Sequence, residues 1–358
     1  MTGHGGNIYE KSKLYGIAPH EILDFSANIN PLGLNAKGKE VLLRSVDQIV
    51  HYPDPYCTAL YETVSSVYEM EKEFILFGNG AAELIFAVCR LPHLKRALIV
   101  APTFSEYAAG AKVAGLSTHS FPLRQEGMHF YIDWDSILQE MCIGDVLFLG
   151  NPNNPDGSLL TPDEIEKVLM KMPKGSMLVI DESFIDFVKG NHSCRELVKT
   201  YDSLIVLHSF TKYLAIPGLR LGALYAPTLY REQIASQIPT WSVNQLAQEF
   251  GKVALLDKKY REDTLALVEK EKAFMFNKIL AIEGLFPVEP SVNFILIYLD
   301  SIKWSLPWLE EELAKEGILI RNATNYEGLE GSWIRVAIRT HEDNVKLTSV
   351  LQRLSEES

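Results

Sequence analysis

The chain is short of the features that commit a sequence to several broad classes. No apolar run approaches the roughly 20 residues a helix needs to cross a bilayer. The opening residues, MTGHGGNIYEKSK, carry no apolar core of a secretory signal. A cytoplasmic protein without a membrane partner is the expectation. Cysteine is scarce: Cys57, Cys89, Cys142 and Cys194 are widely spaced and form no CxxC pair. That pattern excludes a disulfide framework and reads as buried apolar residues in a reduced setting, with no metal site. GxGxxG is missing, which gives a nicotinamide-dependent dehydrogenase little support. Positive charge is in deficit, with 34 Lys+Arg against 46 Asp+Glu and a formal net charge of −12. This argues against nucleic acid or an anionic membrane as partner. A small anion held by a local arginine cluster remains open. No internal repeat and no low-complexity segment is present.

The 358 residues, 47% hydrophobic and 22% charged, suffice for two domains with substantial cores. Short apolar runs alternate with helical stretches. FILFGNG (74–80) leads into AAELIFAVCR, and ALIVA (97–101) into PTFSEYAAGAKVAG. DVLFLG (145–150) leads into NPNNPDG, and MLVID (177–181) ends on Asp181. LIVLHS (204–209) leads into FTKYLAIPGLRLG. Thr161-Pro162-Asp163-Glu164 is a capping box with proline at the first helical position. Alternation of this kind predicts an α/β fold, a mainly parallel sheet covered on both faces. Ligands of such sheets sit beyond the C-terminal strand ends. Gly80, Phe104, Asn154, Asp181 and Lys212 all fall there. Free N–H groups at Gly80, Ala81 and Ala82 would favour an anion, and Ser209, Thr211 and Arg220 could hold a phosphate. A lysine just past a buried strand loses its proton more easily and can form a Schiff base. Taken alone, a solvated loop lysine is the better reading; the convergence changes that.

Residues 1–34 are rich in Gly and Asn, as in HGGN (4–7) and SANINPLG (26–33). They read either as a strap over a cleft, presenting His4, Asn28 and Asn30, or as a loose tail. A long helical stretch, 246–282, leads to a small α+β unit. There VNFILIYL (292–299), ILIR (318–321) and WIRVAIR (333–339) read as strands, and 306–317 and the residues from His341 as helices. Alternation puts Arg335 and Arg339 on one face, close to Arg321. These form either a surface basic face or a clamp for carboxylate or phosphate.

The stretch SFTKYLAIPGLRLG resembles the pyridoxal-phosphate lysine motif of the aspartate-aminotransferase superfamily, fold type I. YPDP (52–55), GNGAAE (78–83), PTF (102–104), NPNNPDG (151–157) and DESFIDF (181–187) follow in family order, so the resemblance covers essentially the whole chain. It is nearest to the histidinol-phosphate aminotransferase branch. It is nearer still to the threonine-phosphate decarboxylase family of cobalamin biosynthesis, through HGGN, DFSANINPLG, PTWSVNQLA and ILIRNATNYEGL…RVAIR. The resemblance implies pyridoxal 5'-phosphate linked to Lys212. Asp181 would face the pyridine nitrogen, Asn154 would donate to the ring 3-oxygen, and Phe104 would stack on the ring. Gly80, Ala81, Ala82, Ser209, Thr211 and Arg220 would hold the phosphate. Tyr52 would reach it from a second subunit, which implies a homodimer. Arg335 would grip the substrate carboxylate, and Arg321, His4, Asn28 and Asn30 the substrate phosphate. The implied division is a strap (1–34) packing with the small domain, a large cofactor-binding domain (35–260) and a small C-terminal α+β domain (261–358).

Phe184 and Asp156 depart from the family pattern, standing where many aminotransferases have tyrosine and threonine. The expected activity is decarboxylation of an amino acid phosphate, L-threonine O-3-phosphate. The alternatives are O-phosphoserine decarboxylation and histidinol-phosphate transamination. A non-catalytic sensor domain is disfavoured, because Lys212 is intact and residues 1–34 are too short for a helix-turn-helix segment.

Overall fold

In the computed structural model, which describes residues 5–357, the apolar runs form a seven-stranded sheet. Its strands are β1 (Ile75–Gly78), β2 (Arg96–Ala101), β3 (Ser117–Pro122), β4 (Asp145–Gly150), β5 (Met177–Asp181), β6 (Leu204–Ser209) and β7 (Gly222–Tyr225). Their spatial order is β1-β7-β6-β5-β4-β2-β3. β2 pairs in parallel with β3 and β4, β4 with β5, and β5 with β6. β7 runs against both its neighbours. The strands other than β3 read as near-unbroken apolar runs because both faces are covered; β3, at the sheet edge, is mostly exposed. On β5, Leu178 and Ile180 pack into one buried layer with the helices Thr58–Tyr68 and Gln245–Ala254. Met177 and Val179 pack into the opposite layer with the helices Ala81–Cys89 and Glu106–Ala114. The capping box is present, with Thr161 Oγ1 accepting from Glu164 N at 3.3 Å and Pro162 opening the helix.

A second sheet is antiparallel: β8 (Leu285–Pro287), β9 (Phe294–Leu299), β10 (Arg321–Asn322) and β11 (Ser332–Ala337), in the order β8-β9-β11-β10. Its buried cluster draws on the helices Lys258–Leu280, Leu306–Lys315 and His341–Glu357, and also on Phe25. Leu23–Asp24 pairs in parallel with Ile318–Leu319, and Phe25 O accepts from Ala337 N at 2.8 Å. The segment before residue 30 is thereby joined to the last third of the chain.

The structure differs from the sequence reading in four places. Ile8–Tyr15 is a helix, capped by Asn7 and ended by Gly16 at φ 70°. The stretch 246–282 is two helices, because Asp257 caps a new one at Tyr260 N. β11 stops at Ala337, so the alternation no longer governs Arg339; its guanidinium turns to Asp343 and to Asp24 O. Of the four free cysteines, Cys57, Cys89 and Cys194 are buried, but Cys142 is exposed.

Candidate active site

Sheet register builds the first part of the site. Gly222, opening β7, lies opposite both Gly78 at the end of β1 and Ser209 at the end of β6. Two residues further out on either side, Gly80 and Arg220 therefore meet. A Cβ on Gly80 would lie 2.6 Å from Arg220 Nη2, and one on Gly222 would lie 2.5 Å from Ala81 N. Gly80 holds φ 82°, which only glycine adopts freely, and from it the helix Ala81–Cys89 starts. Arg220 itself is held at φ 61°, a left-handed conformation that costs a non-glycine residue about 1–3 kcal/mol. Ser209 Oγ and Thr211 Oγ1 lie 2.7 Å apart. Unpaired helix N–H groups, two hydroxyls and a guanidinium thus surround one small space, a cradle suited to phosphate.

That space opens into a cavity of about 460 Å³ lined by Ala81, Ala82, Phe104, Asn154, Asp181, Ser209, Thr211, Lys212, Arg220, Arg321 and Arg335. Lys212 sits on the one-turn helix Phe210–Tyr213. Burial, then the guanidiniums of Arg335 and Arg220, pushes its amine down to about 8. Asp181, at the end of β5, accepts from Ser183 N at 3.0 Å, from Ser183 Oγ and from Tyr107 OH at 2.9 Å. Burial still raises its pKa above the ordinary carboxylate value, so the site favours a cation beside it. Phe104 stands edge-on to Tyr107 at 5.7 Å. Phe184 lines the same cavity, edge-on to Phe294 at 5.1 Å.

The second part comes from β10 and β11. Arg321 and Arg335 are register partners across these strands, so both guanidiniums reach the cavity side by side. Arg335 is 5% exposed; it donates to Asn154 Oδ1, and to Ser26 O at 2.9 Å. Its Nε is buried without a partner, as is Asn28 Oδ1; both side chains line the cavity. Such orphaned polar atoms are costly unless a ligand meets them. Asn30 does not line this cavity. Its amide bonds Tyr213 O and Thr264 Oγ1, and its N–H bonds Lys212 O at 3.0 Å. It holds the lysine's backbone, which corrects the expectation that it faces substrate. Tyr52 is also absent from the lining; it is 78% exposed and stacked on Trp241 at 4.3 Å. His4 lies outside the described residues.

The loop after β4 is braced from within. Asn153 accepts from Thr103 Oγ1 at 2.8 Å and donates to Pro102 O at 2.9 Å and to Asp156. Asp156 also accepts from Ser158 N at 3.1 Å. This is the structural account of Asp156: its buried carboxylate fixes Asn153, which ties the loop carrying Asn154 to the loop carrying Phe104. On the far side a larger cavity, about 640 Å³, is lined by residues such as Phe130, Trp134, Glu164 and Ser291, with no lysine or arginine. The sequence reading missed Tyr107, Ser183 and Tyr326, whose hydroxyl donates to Asn154 Oδ1 at 3.2 Å.

Comparison with known proteins agrees with this geometry. The family model for aminotransferase class I and II matches residues 20–354. The threonine-phosphate decarboxylase of Salmonella typhimurium is 34% identical over 357 residues, covering 99% of this chain and 96% of that protein. An adenosylcobalamin biosynthesis bifunctional protein of Leptospira interrogans is 35% identical over 358 residues, covering 99% of this chain; the chain spans 41% of that longer protein. The crystal structure of the histidinol-phosphate aminotransferase from Clostridium acetobutylicum matches with a TM-score of 0.85 at 29% identity, covering 93% of this chain and 99% of that one.

Proposed function

Because the chain belongs to the aminotransferase class I and II family, we propose that it binds pyridoxal 5'-phosphate and decarboxylates L-threonine O-3-phosphate. The products are carbon dioxide and (R)-1-aminopropan-2-yl phosphate, for cobalamin biosynthesis. One observation carries this: a half-buried lysine, a buried aspartate and an anion cradle share a cavity with two register-paired arginines. The first three fit the cofactor's aldehyde, pyridine nitrogen and phosphate. The arginines fit a substrate with two anionic groups.

When bound, the cofactor supplies a ring that accepts the electron pair of a bond broken at the substrate Cα. Lys212 would hold its aldehyde, and its amine would be the group placed to carry a proton to the substrate Cα. Asp181 would face the pyridine nitrogen; a cation there offsets the burial that now raises the carboxyl's pKa. Ala81 and Ala82 N–H groups, Ser209, Thr211 and Arg220 would hold the phosphate, Asn154 the ring oxygen and Phe104 the ring face. Arg335 would take the substrate carboxylate, and Arg321 with Asn28 the substrate phosphate. Two fixed anion sites would leave the substrate one orientation, and that orientation would decide which Cα bond is presented for cleavage.

The proposal extends to the assembly. Tyr52 reaches the phosphate cradle of a second copy, making a homodimer. Exposed apolar residues along the same stretch, Leu43, Val46, Ile49, Val50 and Tyr56, support a buried partner surface. The division into residues 1–34, 35–260 and 261–358 is supported by the two separate sheets and by the pairing of Leu23–Asp24 with Ile318–Leu319, although the helix Lys258–Leu280 crosses residue 260 and lends Val268 to the large sheet's cluster.

The test is carbon dioxide release from O-phosphothreonine with added cofactor and no oxo acid. Release faster than from O-phosphoserine is the expected result. No release, with amino transfer from histidinol phosphate to 2-oxoglutarate, would replace this reading by the aminotransferase one.

A further inference from the structure

Tyr326 touches Asn154, Arg335 and Arg321 together, and no role has yet been given to it. Its hydroxyl donates to Asn154 Oδ1 at 3.2 Å and accepts from Arg335 Nη1 at 3.3 Å. Its ring lies under the Arg321 guanidinium, 5.2 Å from the centroid, and Arg321 is braced on its other side by Asn325 Oδ1 at 2.8 Å. The segment that carries it is pressed against the large sheet's loops. A Cβ on Gly328, at φ 84°, would stand 3.2 Å from Ala101 O. The Tyr326 ring also packs with the buried cluster of Phe130, Leu296 and Trp333. Its position is therefore determined from both sides of the cavity.

We infer that Tyr326 is a positioning residue that sets the span between the two substrate-binding arginines and aims Asn154 at the cofactor. The inference rests on the proposed function for its substrate and deepens it. Asn154 Oδ1 receives two donors, from Tyr326 and Arg335, so its Nδ2 is the end left to face the ring. The tyrosine ring keeps Arg321 from collapsing toward Arg335, whose strand neighbour it is. Two guanidiniums so close repel each other; the negative face of an aromatic ring is a favourable seat for one of them. The result is a fixed pair of anion sites, suited to a carboxylate and a phosphate one short chain apart.

Two variants separate the hydroxyl from the ring. Tyr326→Phe should shift the pH midpoint of the bound cofactor's visible band by about half a unit or more, since a hydrogen bond on the group facing the ring oxygen is lost. It should lower kcat with little change in KM, and inhibition by inorganic phosphate should not change. Tyr326→Leu should also raise the KM for O-phosphothreonine and weaken inhibition by inorganic phosphate, each about fivefold. In an Asn154→Ala background Tyr326→Phe should add almost nothing. Wild-type titration and kinetics in Tyr326→Phe, or a full effect persisting without Asn154, would overturn the inference. The titration needs no substrate. A protein that binds cofactor but releases no carbon dioxide would therefore sink the decarboxylase reading while the Tyr326 arm still gave its own answer.

Discussion

Lys212 is a nucleophile only after its amine has lost a proton, and burial beside Arg335 and Arg220 brings that to about 8. Below that pH the neutral fraction falls tenfold per unit. The rate of cofactor capture by the cofactor-free protein should therefore climb about tenfold per pH unit up to 8 and level off above it. Stopped-flow absorbance would record this, and a flat profile from pH 6 to 10 would contradict it. Lys212→Ala should lose both the covalent link and turnover. Arg335→Ala should raise KM for the substrate roughly 10- to 100-fold, the worth of a charge-assisted hydrogen bond, while cofactor affinity stays nearly unchanged; equal loss of both would make Arg335 a structural residue. That Lys212, Asp181 and Asn154 share one cavity was legible because each stands at the end of a buried strand or a few residues past it. Tyr107 and Tyr326 were not, since a tyrosine in a sequence looks like core until its hydroxyl has a partner. Asn30 misled for the same reason: an amide states its chemistry but not which way it faces.

The strand ends, as elements, carry the site only because their register is kept. Gly222→Ala tests this without left-handed strain, since the glycines with positive φ do not include Gly222. Its Cβ would press on Ala81 N at 2.5 Å and push the helix start out of the cradle. Overpacking of this kind costs about 1–3 kcal/mol. Equilibrium titration should show weakened cofactor binding, with a modest fall in melting temperature. Asp156→Ala should destabilise the loop by about 1–3 kcal/mol, because the Ser158 N–H loses its acceptor and the Asn153 amide loses one of its two; denaturant unfolding would measure it. Most strands of the large sheet were readable because burial on both faces leaves an unbroken apolar run, whereas the exposed edge strand Ser117–Pro122 was not. The helix Ile8–Tyr15 was not, because it buries no residue and so leaves no apolar stripe in the chain. The break after Ala254 was hidden by Leu255 and Leu256, which continue the helical pattern across it.

At the scale of the whole molecule, the proposed dimer can be tested by mixing crippled subunits. A Lys212→Ala protomer paired with a Tyr52→Phe protomer holds one site with both defects and one with neither. If Tyr52 acts across the interface, an equal mixture of the two inactive or weakened proteins should recover about a quarter of wild-type activity, because half of the re-paired dimers are mixed and each of these holds one intact site of two. If it acts within its own chain, every site in the mixture stays defective and no recovery appears. Sedimentation should show a dimer, loosened by Tyr52→Ala.

The bond from Arg335 to Ser26 O joins residues 309 positions apart, and this has a consequence in time. At ribosomal speeds the two ends of that contact are made about 15–60 s apart. The cradle, Asp181 and Lys212 are all synthesised well before Arg321 and Arg335. On the proposed roles, the groups that choose the substrate are the last part of the site to be synthesised.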